Sequence, residues 1–171
     1  VTQLLANIKF PNKGNLLDVG CGNGAFLRAF SDAIPNWILA GTELNNSNKE
    51  KIEKINGVKQ LYTCQLDDIP AKFNTISMIH LLEHVQNPKK LLISCWNKLE
   101  SDGILILELP CFYKNPFYLL IEDHCTHFRE NAIEKLLHDF GFNIVCITTQ
   151  WVPQEITVVS RNVDIVQQKL R

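Results

Sequence analysis

The sequence lacks a CxxC pair. Its six cysteines stand alone at positions 21, 64, 95, 111, 125 and 146, which leaves no zinc-ribbon or thioredoxin-type redox motif. Nothing about the chain has the small, secreted look that goes with a disulfide framework. They are expected to be free thiols in a reducing cytoplasm, mostly small core fillers. An excess of either charge is also missing: 17 Lys and Arg stand against 18 Asp and Glu, for a formal net charge of −1. That balance argues against a dominant nucleic-acid surface. The one concentrated charge run, KEKIEK at 49–54, alternates in sign around Ile52 as a solvated helix face does. No apolar run approaches bilayer length and no basic-then-apolar start is present, so neither a membrane span nor a signal peptide is expected. Methionine occurs once, at Met78. The chain therefore does not begin at a natural start codon, and it is expected to be a processed product or one domain, 1–171, of a longer protein.

With 171 residues, 46% of them hydrophobic, the chain can close a single substantial core. Apolar, strand-like runs at 16–20, 37–42, 58–64, 75–79, 103–109, 143–149 and 155–160 alternate with helical segments at about 24–33, 48–56, 88–100 and 130–140. Pro88 suits a helix start and Gly141 a helix end. Such alternation implies a mainly parallel sheet covered on both faces. The last two strands are joined by a short connection containing Pro153, which implies an antiparallel pair. Internal repeats and low-complexity tracts are absent.

The most informative stretch is Leu16-Leu17-Asp18-Val19-Gly20-Cys21-Gly22-Asn23-Gly24. It reads as a buried strand running into a glycine-rich turn and then a helix, a backbone cradle for a small molecule at the carboxyl edge of the sheet. Gly20-x-Gly22-x-x-Ala25 satisfies the dinucleotide fingerprint. Glu43, at the end of the second strand, lies where an acid grips vicinal ribose hydroxyls. Both NAD and adenosyl cofactors carry such a ribose. Asp18 favours the latter: the ammonium and sulfonium of S-adenosylmethionine suit a carboxylate that the pyrophosphate of NAD would repel. A carboxylate that merely bonds neighbouring loop amides is the other reading of Asp18.

These residues make the chain resemble the class I S-adenosylmethionine-dependent methyltransferases, in particular the ubiquinone-biosynthesis O-methyltransferases and bacterial sugar C-methyltransferases. LLDVGCGNGAFL at 16–27 is similar to the family's first motif and AGTELN at 40–45 to its second. HLLEHVQNP at 80–88 is similar to the segment after the fourth strand, the 103–110 run to the fifth strand, and THFRENAIEKLLHDFGF at 126–142 to the last helix. The resemblance implies an α/β, three-layer Rossmann-like methyltransferase fold, a seven-stranded mainly parallel sheet with an antiparallel strand near one edge. It also implies S-adenosyl-L-methionine as cofactor. Asp18, Gly20, Cys21 (through its backbone) and Gly22 would then lie on its methionine and ribose portions, Glu43 and Leu44 on the ribose, and Ile79 at the tip of the fourth strand. The family's adenine aspartate is replaced by Gln65, followed by Leu66 and Asp67; Gln65 or Asp67 would take that contact.

Methyl transfer from a sulfonium is an in-line displacement, and a neutral acceptor must also lose a proton, a task suited to histidine. His84, beside Glu83, is the first candidate base; a histidine that buttresses the strand-to-helix loop is its alternative. His124 and His127, in the segment before the last helix, are further candidates to touch the acceptor or act as base. His80-x-x-Glu83-His84 also spells an inverted zinc-peptidase string, but that motif needs a helix and a strand leads into this one. Some of the resembling ubiquinone enzymes hold a divalent ion on acid-x-x-Glu-His. Here His80 replaces the first acid, so no metal is assigned. Phe112, Tyr113, Phe117 and Tyr118 would wall a substrate pocket or simply pack. Asn115-Pro116-Phe117-Tyr118 resembles the NPPY signature of nucleic-acid amino-methyltransferases but follows the wrong strand. The expected activity is O- or C-methylation of a small-molecule acceptor such as a sugar or quinone precursor, with no nucleic-acid partner. A catalytically silent cofactor-binding module of a larger protein and an NAD-linked oxidoreductase are the competing readings.

Overall fold

In the computed structural model, which describes residues 1–163, seven strands form one sheet. The strands are β1 (Asn15–Val19), β2 (Ile38–Thr42), β3 (Val58–Tyr62), β4 (Phe73–Ile79), β5 (Leu99–Pro110), β6 (Phe142–Thr148) and β7 (Glu155–Asn162). Their order across the sheet is β3-β2-β1-β4-β5-β7-β6. The first five run parallel, and β7 inserts antiparallel between β5 and β6. The expected mainly parallel sheet with an antiparallel strand near one edge is therefore present. The last eight residues of the expected 1–171 domain lie outside the described residues.

Alternation along the strands sorts side chains to two faces. Leu17, Val19, Ile76, Met78, Leu105 and Leu107 point to one, where Leu92 and Cys95 of α4 (Pro88–Lys98) and Ile133 and Leu137 of α5 (Glu130–Asp139) cover them. Leu16 and Leu39 point to the other, under Leu27 and Phe30 of α2 (Ala25–Ala33) and Ile52 of α3 (Lys49–Glu53). Further along that second face, Ile104, Ile106 and Val159 meet Leu4 of α1 (Thr2–Asn7) and the adjoining Ile8. Helices on both faces give three layers.

Three elements depart from expectation. Helix α1 was not expected: it is six residues long with no side-chain cap, too short for a period to show, and it is held by packing rather than propensity. Helix α3 stops at Glu53 rather than near 56, because the chain must turn at Gly57. That glycine has φ +80, and a Cβ there would lie 2.9 Å from the carbonyl of Trp37. Strand β5 begins at Leu99, directly after α4 and ahead of the expected 103; an irregular register against β4 between Phe73 and Thr75 takes up the extra residues.

An aromatic cluster fixes the start of β2. Phe30, Phe10 and Trp37 meet edge to face, with ring centroids 5.4 to 5.8 Å apart, a favoured arrangement of aromatic quadrupoles. Trp37 Nε1 donates to the carbonyl of Pro11 at 3.0 Å. Truncating the fully buried Phe30 to alanine is expected to destabilise the chain by about 3–5 kcal/mol. Urea unfolding followed by tryptophan fluorescence measures this; a loss under about 1 kcal/mol would show that the cluster does not hold this edge.

Candidate active site

The carboxyl ends of the parallel strands meet in one place, and the glycine loop sits there. Gly20 and Gly22 have φ of +69 and +57, a backbone region that residues with a Cβ adopt only under strain. A Cβ on Gly20 would lie 2.8 Å from a methyl of Leu81, whereas a Cβ on Gly22 would meet nothing within 4 Å. The space over Gly22 is open, and the peptide there is bare to a ligand. Strand β2 holds the loop. Gly20 N donates to Thr42 Oγ1 at 3.1 Å and Cys21 N to the Thr42 carbonyl at 3.0 Å. Gly22 N donates to Glu43 Oε1, and Asn48 Nδ2 donates to the Gly22 carbonyl at 3.4 Å.

A cavity of about 570 Å³ opens beside this loop. Gly20, Glu43, Leu44, Gln65, Leu66 and Asp67, six of the ten residues expected to bind cofactor, line it, as do Asn87, which caps α4, and Lys90 within that helix. Glu43 accepts from the amides of Gly22 and Leu44, and a carboxylate has further lone pairs to offer a pair of hydroxyls. Gln65 and Asp67 both line the cavity, so both side chains expected to take an adenine amino group present acceptor oxygens there. Of the other four, Ile79 lines a second, smaller cavity. Gly22 forms the open turn at the rim. Cys21 is buried, and its thiol is pushed up to about 12, mainly by burial and then by the charges of Asp18 and Glu43. It is a neutral packing group whose backbone completes the loop.

Asp18 lies under the loop, 2% exposed, and accepts from Ser77 Oγ at 2.7 Å across the register pair that β1 makes with β4. The bond it makes is to a neighbouring strand rather than to a loop amide. Burial raises its carboxyl from 3.8 to about 7, partly opposed by Ser77 and reinforced by Glu43. An acid whose folded value lies above its unfolded one favours the protonated chain. Its contribution to stability is full below pH 4 and fades as pH rises through 7.

On the other side of β4 the acceptor candidates gather. Residues 122–127 hang from the backbone of Glu83, whose carbonyl accepts from Cys125 N at 2.7 Å and Thr126 N at 3.1 Å. This brings His124 edge-on to His84, with centroids 4.8 Å apart. His84 Nδ1 lies 3.2 Å from Asp123 Oδ2 and 3.3 Å from the Asp123 carbonyl. Both partners are acceptors, so Nδ1 carries a proton. Glu83 is 1% exposed, and neither carboxylate oxygen has a hydrogen-bond partner; its Oε1 lies 3.9 Å from His84 Nε2. Burial lowers the His124 value, keeping that imidazole neutral, and its Nδ1 is buried without a partner. His127 stands apart in role, with Nε2 donating to the Tyr118 carbonyl at 3.1 Å. Glu83, His84 and His124 each bring one ligand atom within 4.8 Å of the others, a set with the donor chemistry for a divalent ion.

His80 is the residue the sequence placed least well. It follows β4 with φ +51, and its ring stands 3.5 Å from Glu83 and Glu108 and 3.7 Å from Glu155. The neighbouring carboxylates of Glu108 and then Glu83 raise it to about 10, so it is a cation at neutral pH and no base. The string it shares with His84 folds as a strand end and a single 3₁₀ turn, Leu82–His84, not as a zincin helix. The four aromatics make no common wall: Phe117 is 75% exposed, and Tyr118 donates to Glu155 at 2.8 Å. Asn115 caps its own turn by accepting from Phe117 N. Sequence reasoning also missed Gly41, where a Cβ would lie 2.5 Å from Cys21 Sγ. A glycine inside an apolar strand was the available signal.

The fold and the cradle define a class I, Rossmann-like methyltransferase domain. Comparison with known proteins agrees: residues 1–147 match the family described as methyltransferase domain, and the chain belongs to it. It is 30% identical over 106 residues to the mitochondrial ubiquinone biosynthesis O-methyltransferase of Saccharomyces cerevisiae, covering 54% of this chain and 32% of that protein. It is 27% identical over 146 residues to the ubiquinone biosynthesis O-methyltransferase of Coxiella burnetii, covering 80% and 60%. The chain thus spans between about a third and three-fifths of the length of these curated relatives. Among solved structures, magnesium protoporphyrin IX methyltransferase from Synechocystis PCC 6803 with bound SAM superposes with a TM-score of 0.69 at 16% identity, covering 94% of this chain and 75% of that one. No helix among the described residues is long and apolar enough to cross a membrane.

The Asp18 carboxyl has a measurable consequence. Asp18→Asn keeps an acceptor for Ser77 but cannot ionise. Its urea stability is expected to gain on the parent chain as pH rises from 4 to 8, by up to about 4 kcal/mol. Parallel pH profiles would show that Asp18 ionises freely in the folded chain.

Proposed function

We propose that this domain transfers a methyl group from S-adenosyl-L-methionine to a small-molecule acceptor, by O- or C-methylation of a sugar, quinone precursor or similar metabolite. The observation that carries this is the convergence of Gly20, Glu43, Gln65 and Asp67 on one cavity beside an open glycine turn. The residues fit the cofactor: a carboxylate for vicinal hydroxyls, amide and acid groups for an adenine edge, and a buried acid near the loop. When bound, the cofactor supplies an electrophilic methyl on a sulfonium. Glu43 orients the ribose, and the bare backbone at Gly22 lets the nucleoside lie close. His84 then takes the acceptor's proton on Nε2, with Asp123 holding its Nδ1–H and Glu83 opposite the charge that forms.

Calorimetry with S-adenosylmethionine, S-adenosylhomocysteine and NAD tests the cofactor. The two adenosyl compounds are expected to bind and Glu43→Ala to weaken both by about ten- to a hundredfold, the loss of hydrogen bonds to a charged group. Because a nearby sulfonium stabilises the ionised form of Asp18, binding of S-adenosylmethionine at pH 7 should also release part of a proton, a release absent in Asp18→Asn. NAD binding without adenosyl binding would overturn the assignment.

A divalent ion on Glu83, His84 and His124 is a second reading, favoured by the two unpartnered oxygens of buried Glu83. The two readings separate at His84. If His84 is the base, His84→Ala lowers turnover at least a hundredfold, leaves S-adenosylhomocysteine affinity unchanged, and chelator has no effect on the parent chain. If it is a ligand, zinc or magnesium titration of the parent gives a binding isotherm that His124→Ala abolishes. Cofactor binding with no turnover across an acceptor panel would favour the silent module.

A further inference from the structure

The larger cavity does not end at the residues expected to hold adenine. A groove of about 520 Å³ adjoins it, and the two share Asp67, Asn87, Lys90 and Ser94 among their lining residues. Asp67 sits on the 3₁₀ turn Leu66–Asp68 that follows β3, and the other three belong to α4 or its cap. Leu66 of that turn and Leu92 of that helix are buried in the same core. The junction is therefore fixed by packing, although the groove beyond it is open.

Along α4, Lys90, Ile93, Ser94 and Asn97 line the groove, at the three- and four-residue spacing that puts side chains on one helix face. Phe140, the C-terminal cap residue of α5, lines it as well and packs in part against the core. Its two large apolar side chains are thus Phe140 and Ile93, the latter 47% exposed. Lys89 and Lys90 are exposed; side chains of this kind lay their methylene stems along apolar surface and keep the ammonium in water. An apolar cavity of roughly 150 Å³ already holds benzene, so the groove has room for an aromatic ring.

The adenine amine is the part of the cofactor that would meet this junction. Gln65 and Asp67 carry the oxygens expected to accept from it, and one N–H is enough for one such bond. The other N–H is free to be replaced by carbon. Because Asp67 lines both spaces, a substituent on an amine held there emerges at the mouth of the groove.

We infer that this domain binds adenosyl compounds enlarged on the adenine amino group, an aromatic substituent lying in the groove against Ile93 and Phe140. The inference rests on the cofactor assignment proposed above and widens its ligand class. The groove is a second compartment of that site, and Ile93 sets its affinity for the substituent.

Calorimetry compares S-adenosylhomocysteine with its derivative benzylated on the adenine amine. On the parent chain the derivative is expected to bind within fivefold of the unsubstituted compound, or more tightly, as its ring displaces water from Ile93 and Phe140. Ile93→Asp, at a half-exposed position outside the larger cavity, is expected to weaken the derivative at least fivefold and to change S-adenosylhomocysteine less than twofold. A derivative more than fivefold weaker on the parent chain means that the amine end is closed, and overturns the inference. So does a loss of less than fivefold in Ile93→Asp, because the ring then lies elsewhere. Should Ile93→Asp lose S-adenosylhomocysteine as well, the milder Ile93→Ser repeats the comparison, with a threefold loss of the derivative alone as the expected result and a smaller or shared loss as the overturning one. Failure of S-adenosylhomocysteine to bind the parent chain sinks the cofactor assignment itself, whereas normal binding with rejection of the derivative sinks the groove alone.

Discussion

A chain that enters a left-handed turn at Gly20 and Gly22 must be held there, because a glycine loop left to itself has many conformations of similar energy. Strand β2 does the holding. The Thr42 hydroxyl and carbonyl, the Glu43 carboxylate and the Asn48 amide meet consecutive peptide groups of the loop. Gly41 leaves just enough room for the Cys21 thiol to pack beneath. These contacts form because parallel pairing of β1 with β2 brings Val19 level with Thr42, so both strands end together and the loop from one falls on the end of the other. The cavity beside the loop, the placement of Glu43 and the burial of Asp18 all follow from that register.

The two sides of the β4 end differ in electrostatic character. Beside the glycine loop the carboxylates are spaced singly around an open cavity, Glu43 and Asp67 both lining it. On the side of β5 and β7, Glu83, Glu108 and Glu155 crowd a single imidazolium. Low-dielectric surroundings strengthen these interactions in both directions. They hold His80 charged and, at the same time, leave buried oxygens of Glu83 and Glu155 short of donors. The loop at 122–127, tied to the Glu83 carbonyl, completes the same side by laying His124 against His84.

Strand and helix alternation was legible because alternating apolar residues and glycine or proline punctuation mark each element locally. The seven strands lie where the pattern put them, and the lapses were at ends: β5 starts early after α4, and α3 stops short at its turn. The grouping of strand-end residues around the larger cavity was legible for the same reason. Gly20, Glu43 and Gln65 each end or follow a parallel strand, and strands that run parallel deliver their carboxyl ends to one edge. Helix α1 was not legible, since six residues give too short a period and its stability comes from Ile104, Ile106 and Val159 far along the chain.

What the sequence by itself determined is the set of local choices: which segments pleat or coil, where the backbone must be glycine, and which acids and amides stand at strand ends. Those depend on residues within a few positions of one another. Only the tertiary structure decided that β7 lies between β5 and β6, placing Thr157 beside Glu108 and Glu155 against His80. The order of strands in a sheet is set by how buried faces pack over long chain separations. For that reason the charge of His80 belongs to the fold and not to any motif.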